Sequence, residues 1–414
     1  MTTTPADKDV CCCCQLGKDA RMFSEICRSM KIVHVISTID PAGGGPQTVV
    51  VRMAAAQCAL GHEVHIVSYA GPDSRDRAFR AAANIPDFEK IRWHLLPDPD
   101  RLERIACIKG SRLINRILPS ADFIHLHGVW ESLLFRSASA ARKAGVPYCV
   151  RPAGMLDSWS LQQKAWKKRL ALSLGYRGML EDAKFIQALN ADEAQLMRPL
   201  SLATPTIVIP NGVFPEEFEQ GSDAVSFRKQ INMPNDRRFV LFLSRLHFKK
   251  GLDLLAKAFQ MVSAECPDVD LVVAGPDDGA REEFLALVRT LGIEERVWLT
   301  GPIYGAAKLQ AFSATACFCL PSRQEGFSLA ITEALACSVP VVISDACHFP
   351  EVDSAQAGIV TSLAPAAIAK ALVAVLKNGP MANKMGENGR RLVMENFTWP
   401  VIAGKTINSY RSFA

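Results

Sequence analysis

Glu325 and Glu333 lie in the segment CLPSRQEGFSLAITEALACSVPVVIS with seven residues between them, and they straddle the step from a strand end into a helix. The apolar run Cys317 to Leu320 reads as a buried strand and Pro321 to Glu325 as a loop. Gly326 opens a helix that runs to about Cys337. A helix start presents unpaired N–H groups and the positive end of a dipole, which favours an anion such as a diphosphate. Two carboxylates beside a phosphate make chemical sense when they accept hydrogen bonds from hydroxyls, which a sugar ring and a ribose hold in fixed geometry. The segment therefore predicts a nucleotide-sugar site, with Gly326, Phe327 and Ser328 beside the donor, Glu325 on sugar hydroxyls and Glu333 on the ribose. The plain alternatives are a capping charge at Glu325 and an exposed helix glutamate at Glu333.

A second constellation lies in FVLFLSRLHFKKGLDLLAKAF, where Arg245 ends a strand and Lys250 precedes a glycine-opened helix. Both cations can converge on one anion there, the arginine as a planar fork and the lysine as a point charge. When a nucleoside diphosphate leaves an anomeric carbon, charge grows on the diphosphate. Fixed donors aimed at it lower the barrier, so Arg245, Lys250 and Glu325 are the catalytic candidates and no metal is expected. The carboxylates of GPDDG, Gly275 to Gly279, read as a turn. Earlier in the chain, Gly44 and Gly45 lie between the first strand and a helix, where glycine permits close backbone approach to a ligand. His127 ends the strand FIHLH and is a candidate base on the acceptor side. Arg151 and Asp157 follow the next strand and are candidates for acceptor or sugar contact.

These residues need two sheets to hold them. The 414-residue chain exceeds the size at which one core keeps growing, which predicts two domains. From Lys31, short β-branched runs alternate with helical patterns, which is the form of βαβ units and parallel sheets. Seven strands are expected in the first half, with helices such as Gln47 to Leu60 and Ser160 to Glu181. The alternation restarts after IPNGVFPEEF with five more strands. The fold class is thus α/β, two Rossmann-like doubly wound parallel-sheet domains facing a cleft. The expected bounds are a tail over 1–29, a first domain over 30–209, a second over 210–397, and a helix over 398–414 that returns to the first domain. The tail holds the run Cys11 to Cys14, and the strand that begins after Met30 makes Met30 or Met22 the expected translation start.

A net charge of +5, with no basic run interleaved with aromatics, excludes nucleic acid as the expected partner. No run approaches about 20 apolar residues, so nothing is expected to span a bilayer. An odd count of 13 cysteines, mostly within apolar segments, fits a reducing cytoplasm. The segment LQQKAWKKRLALSLGYRGML sets Lys164, Lys167, Lys168, Arg169 and Arg177 beside Trp166, Leu170 and Leu174, so it reads either as a peripheral contact with anionic membrane or as a solvated face.

With these motifs in place, the chain from Lys31 onward resembles a family 4 glycosyltransferase of GT-B architecture. The likeness rests on the glycine-rich loop, IPNGV, SRLHFKKG, PSRQEGFSLAITEALACSVPVV and the returning FTW helix. The resemblance implies a metal-independent, retaining transferase acting on a UDP- or GDP-sugar. In it Arg245 and Lys250 hold the diphosphate, Glu325 the donor sugar and Glu333 the ribose. Many relatives carry a histidine after the fifth strand. This chain has Arg151 and Pro152 there, which leaves His127 or Asp157 to substitute. RPAGMLDSWSLQQKAWKK resembles bacterial exopolysaccharide and lipopolysaccharide enzymes, implying a saccharide or lipid-linked saccharide acceptor. The rival readings are a GT-B nucleotide-sugar epimerase, which would convert donor with no acceptor, and a non-catalytic nucleotide-binding module.

Overall fold

The computed structural model describes residues 28–219 and 223–413, so the expected tail and its Cys11 to Cys14 run lie outside the described residues except for Arg28 and Ser29. The apolar runs form β1 (Lys31–Thr38), β2 (Glu63–Tyr69), β3 (Arg92–Leu96), β4 (Phe123–His127), β5 (Tyr148–Arg151), β6 (Phe185–Ala188) and β7 (Thr206–Val208). All pair in parallel in the order β3-β2-β1-β4-β5-β6-β7. A second parallel sheet holds β8 (Arg238–Leu243), β9 (Val269–Ala274), β10 (Val297–Gly301), β11 (Cys317–Leu320), β12 (Val341–Ser344) and β13 (Gly358–Thr361), in the order β10-β9-β8-β11-β12-β13. Helices cover both faces of each sheet, which is why the strands read as unbroken apolar runs and not as alternating ones.

The strand order reverses between β1 and β4 in the first sheet and between β8 and β11 in the second. The crevice outside such a reversal is where doubly wound sheets bind ligands. The loops leaving β8 and β11 carry Arg245, Lys250 and Glu325, so topology alone brings the two sequence constellations side by side.

Two details differ from the sequence reading. The stretch expected as one helix, Ser160 to Glu181, is broken into Ser158–Gln162, Ala165–Ala171, a widened turn Leu172–Tyr176 and Arg177–Glu181. The breaks fall where Lys164 at φ 52° and Gly175 at φ 111° adopt left-handed backbone. The second sheet also has a sixth strand, β13, beyond the five expected.

The final helix, Trp399–Phe413, packs on the helix Gly45–Ala59, burying Trp399, Ile402 and Ala403 in the first domain's core. At the crossing, Val213 N–H donates to Phe397 O and Trp399 N–H to Val213 O, each at 2.9 Å. A Cβ at Gly212 would sit 2.8 Å from the Trp399 nitrogen, so only glycine lets the two crossings touch. The eight described cysteines are free, and seven of them are buried.

Candidate functional site

A cleft of about 420 Å³ runs between the C-terminal strand edges of the two sheets. Its first-domain wall carries Gly154, Asp157, Asn190 and Glu193; its second-domain wall carries Arg245, Lys249, Lys250, Gln324 and Glu325. The walls differ in sign, with carboxylates on the first and mostly cations on the second.

Local structure fixes the second wall. After β8 the chain makes a short turn, Phe248–Lys250, in which His247 Nδ1 accepts the Lys249 N–H at 3.1 Å, and Gly251 at φ 72° then starts the helix Leu252–Glu265. A Cβ on Gly251 would lie 2.0 Å from the Pro321 carbonyl, so glycine is what lets the loops after β8 and β11 lie against each other. Arg323 N–H donates to Lys249 O at 2.7 Å along the same seam. Lys250 Nζ consequently meets Glu325 Oε1 at 2.7 Å, with the Ser322 hydroxyl donating to the same oxygen at 2.6 Å. These side chains are only 14% and 8% exposed, which makes the pair a fixed feature of the cleft floor. Arg245 is more open and pairs with Asp278 at 2.5 Å, so one carboxylate of the GPDDG turn orients this cation.

The helix of the two-glutamate motif starts later than the sequence implied. It spans Leu329–Ala336 with Ser328 as its cap, leaving Gly326 and Phe327 in the preceding loop. The Phe327 ring is drawn against Phe349 and Phe397, and the Gly326 carbonyl accepts from Asn190 Nδ2 at 2.6 Å. The free helix-start N–H groups are therefore those of Leu329 to Ile331, and the Ser328 side chain caps none of them. Ile331, Thr332, Ala334, Leu335 and Ala336 are buried, and Glu333 occupies the less buried face with Ala330. Its carboxylate meets Lys308 Nζ at 2.6 Å and does not line the cleft itself. Gly44, at φ 116°, caps the helix Gly45–Ala59, which packs near Leu329; neither Gly44 nor Gly45 lines the cleft.

On the first wall the three candidates separate. Asp157 lines the cleft, caps the next helix through Ser160 N–H, and accepts from Gln324 Nε2 of the opposite wall at 3.1 Å. Arg151 does not reach the cleft. It is 2% exposed, bonded to Asn211 Oδ1, and burial pulls its pKa down to about 10.

His127 is likewise turned inward. Its Nε2 meets His34 Nδ1 at 2.9 Å, and burial holds its pKa far below the usual histidine value, so it is a neutral packing group and not a cleft base. His34 Nε2 donates to Gln57 Oε1 at 2.7 Å, while His125 Nδ1 meets the Tyr410 hydroxyl at 2.6 Å. The rings of His125 and His127 stack at 4.1 Å and 15°, which keeps their in-plane lone pairs on separate planes. This network ties β1 and β4 to the returning helix.

Among the polar groups on the cleft that sequence reasoning missed are Asn190, Glu193, Lys249 and Gln324. Lys249 Nζ donates to Gln324 Oε1 at 2.9 Å, so Gln324 bridges a cation of one wall to Asp157 of the other. Glu193 is almost fully buried, and burial raises its pKa against the pull of its hydrogen bonds. The signal for it was Asn190-x-x-Glu193, the spacing of a helix-capping box.

Comparison with known proteins agrees with this geometry. The family model Glyco_trans_4_4, glycosyl transferase 4-like domain, matches residues 44–212, and the model Glycosyl transferases group 1 matches residues 223–392. The chain is 27% identical over 386 residues to a phosphatidyl-myo-inositol mannosyltransferase of Mycobacterium leprae, covering 90% of this chain and 94% of that protein. It is 29% identical over 209 residues to an uncharacterised glycosyltransferase of Methanocaldococcus jannaschii, a match that spans 49% of this chain and 53% of that one. Among solved structures, Anabaena HepE in complex with UDP superposes with a TM-score of 0.75 at 19% identity, covering 92% of this chain and all of that one, which shows a shared fold.

Proposed function

We propose that this chain, which belongs to the group 1 and 4-like glycosyltransferases and has the GT-B fold, moves a sugar from a UDP- or GDP-sugar to a saccharide or lipid-linked saccharide acceptor, with retention at the anomeric carbon and without a metal. The observation that carries the reading is the Lys250–Glu325 pair on the cleft floor, with Arg245 on the same wall. The bond from the anomeric carbon to the diphosphate oxygen breaks, and the departing charge is met by Arg245 and Lys250. Glu325 holds sugar hydroxyls, and Glu333, paired with Lys308 just outside the cleft lining, is assigned to the ribose on the strength of the family resemblance.

On this reading retention does not run through a covalent glycosyl-enzyme, because the first-wall carboxylates are already engaged. Asp157 is occupied by Ser160 N–H and Gln324, and Glu193 by two backbone N–H groups, so neither stands free as a nucleophile. The acceptor oxygen then attacks from the leaving-group side and passes its proton to the diphosphate.

The reading includes a role in cell-surface polysaccharide or glycolipid synthesis at the cytoplasmic face of a membrane. Among the described residues no helix is long and apolar enough to cross a membrane. Trp166, Leu170 and Leu174 are exposed beside Lys164, Lys167 and Arg169, a composition suited to an anionic bilayer surface. The relative named for phosphatidyl-myo-inositol supports a lipid-linked acceptor. The test is thermal shift with UDP and GDP, followed by transfer assays with the matching sugar nucleotides. Stabilisation by one nucleotide and sugar transfer from its donor is the expected result, and donor conversion without an acceptor would point to an epimerase.

A further inference from the structure

We infer that Glu193 is a positioning residue that sets the acceptor side of the cleft in register with the donor side; the inference rests on the transferase reading above. Glu193 is 4% exposed, and both of its oxygens are committed. Oε1 accepts the Gly154 N–H and Oε2 the Leu189 N–H, each at 2.6 Å. A carboxylate is an acceptor at both oxygens, so it can take two short amide bonds in this way, whereas a carboxamide can take one and must point a donor at the other.

What it holds is an unfavourable turn. Ala153 at φ 50° and Gly154 at φ 83° are consecutive left-handed residues, a conformation that alanine adopts only when its surroundings impose it. This turn carries the chain from the end of β5 to Asp157, which faces Gln324 across the cleft. Glu193 thereby sets where Asp157 stands through the backbone N–H groups it holds.

The same helical turn also reaches the donor side. Asn190 Oδ1 accepts the Glu193 N–H at 2.8 Å, and Asn190 Nδ2 donates to the carbonyl of Gly326, the residue after Glu325, at 2.6 Å. One end of the helix Ala191–Leu196 thus grips the acceptor-side loop through Glu193 and the donor-side loop through Asn190. A role in packing alone would not need both loops held from one turn.

The test compares Glu193→Gln with wild type in three measurements: binding of UDP and GDP, hydrolysis of the sugar nucleotide by water, and transfer to an added octyl glucoside or phosphatidylinositol vesicle. Glu193→Gln is expected to leave nucleotide Kd and donor hydrolysis within about threefold while transfer falls at least tenfold, with faster amide exchange over residues 152–157. An unchanged ratio of transfer to hydrolysis overturns the inference, as does an equal fall in all three. Where Glu193→Gln does not yield folded protein, Asn190→Ala is measured in the same way. It is expected to weaken nucleotide binding and lower the transfer ratio together, and an unchanged ratio there also overturns the inference. A wild-type protein that binds neither nucleotide and uses no donor refutes the transferase reading itself, which keeps the two failures apart.

Discussion

Replacing Lys250 with alanine separates what the cleft floor does for folding from what it does for rate. In the folded protein Lys250 Nζ lies 2.7 Å from Glu325 Oε1, and both side chains are largely out of water. Removing one partner of a fully buried pair costs about 3–5 kcal/mol. Here the Ser322 hydroxyl still serves Glu325, and some solvent reaches the lysine, so about 1–3 kcal/mol of stability is expected to go. The rate term is different in origin, because a fixed cation no longer meets the charge that grows on the diphosphate. Losing one such donor lowers kcat by ~10²–10³, or about 2.7–4 kcal/mol of barrier. The double variant Lys250→Ala/Glu325→Ala also removes the stranded carboxylate, so it should recover most of the lost stability while turnover stays low. The assays are the urea midpoint and kcat at saturating donor. A folded Lys250→Ala protein that turns over within threefold of wild type refutes the leaving-group assignment.

Four further outcomes are expected. Tyr410→Phe removes the hydroxyl that serves His125 Nδ1 and should lower unfolding free energy by about 1–3 kcal/mol while donor KM stays within twofold; urea titration with kinetics checks both. His34, held by burial at a pKa of about 4 against 6.5 in the unfolded chain, stabilises the fold fully above pH 6.5. That contribution is lost as pH falls toward 4, on the order of 3 kcal/mol, so unfolding free energy should decline from pH 7 to 5 and decline less steeply in His34→Asn. Trp166→Ser combined with Leu174→Ser should reduce co-sedimentation with phosphatidylglycerol vesicles several-fold and leave turnover on a soluble acceptor unchanged. Excess EDTA should leave transfer intact, and abolition restored by a divalent cation would contradict the metal-free reading.

The parts of the fold that could be read from sequence were those where burial acts on a whole segment. Strands such as Phe123–His127 and Cys317–Leu320 are buried at every position, so composition alone marks them. Strand β13 escaped because Gly-Ile-Val-Thr is short and half-buried. The cations were legible for a topological reason: residues just past a strand end at an order reversal must face the crevice. The same rule misled for Arg151 and His127. Both are the last residues of their strands and are register partners, so their side chains share one covered face of the sheet instead of its edge. Glu193 was hidden by its own success as a motif. An N-x-x-E spacing announces a helix cap, and nothing local reveals that this glutamate reaches back to Gly154, 39 residues away.

Among the described residues, direct polar bridges across the cleft include Asn190 to Gly326, Gln324 to Asp157, and His348 to Asp192 at 3.0 Å. At a net 0.5–1.5 kcal/mol each, these three sum to about 1.5–4.5 kcal/mol, which is within reach of the differential affinity a bound nucleotide can supply. The crossing of the two linkers is built otherwise. Val213 is hydrogen-bonded on both sides to Phe397 and Trp399, Gly212 leaves no room between them, and Arg52 grips Glu217 with two bonds of 2.7 and 2.6 Å. The cleft face is therefore weakly tied and the crossing firmly tied, which is the arrangement of a hinge. Each sheet has core residues of its own, and besides these bridges Leu329 of the second domain packs against the first domain's core. Gln324 joins the two walls at this point, its amide N–H donating to Asp157 while its oxygen accepts from Lys249 Nζ.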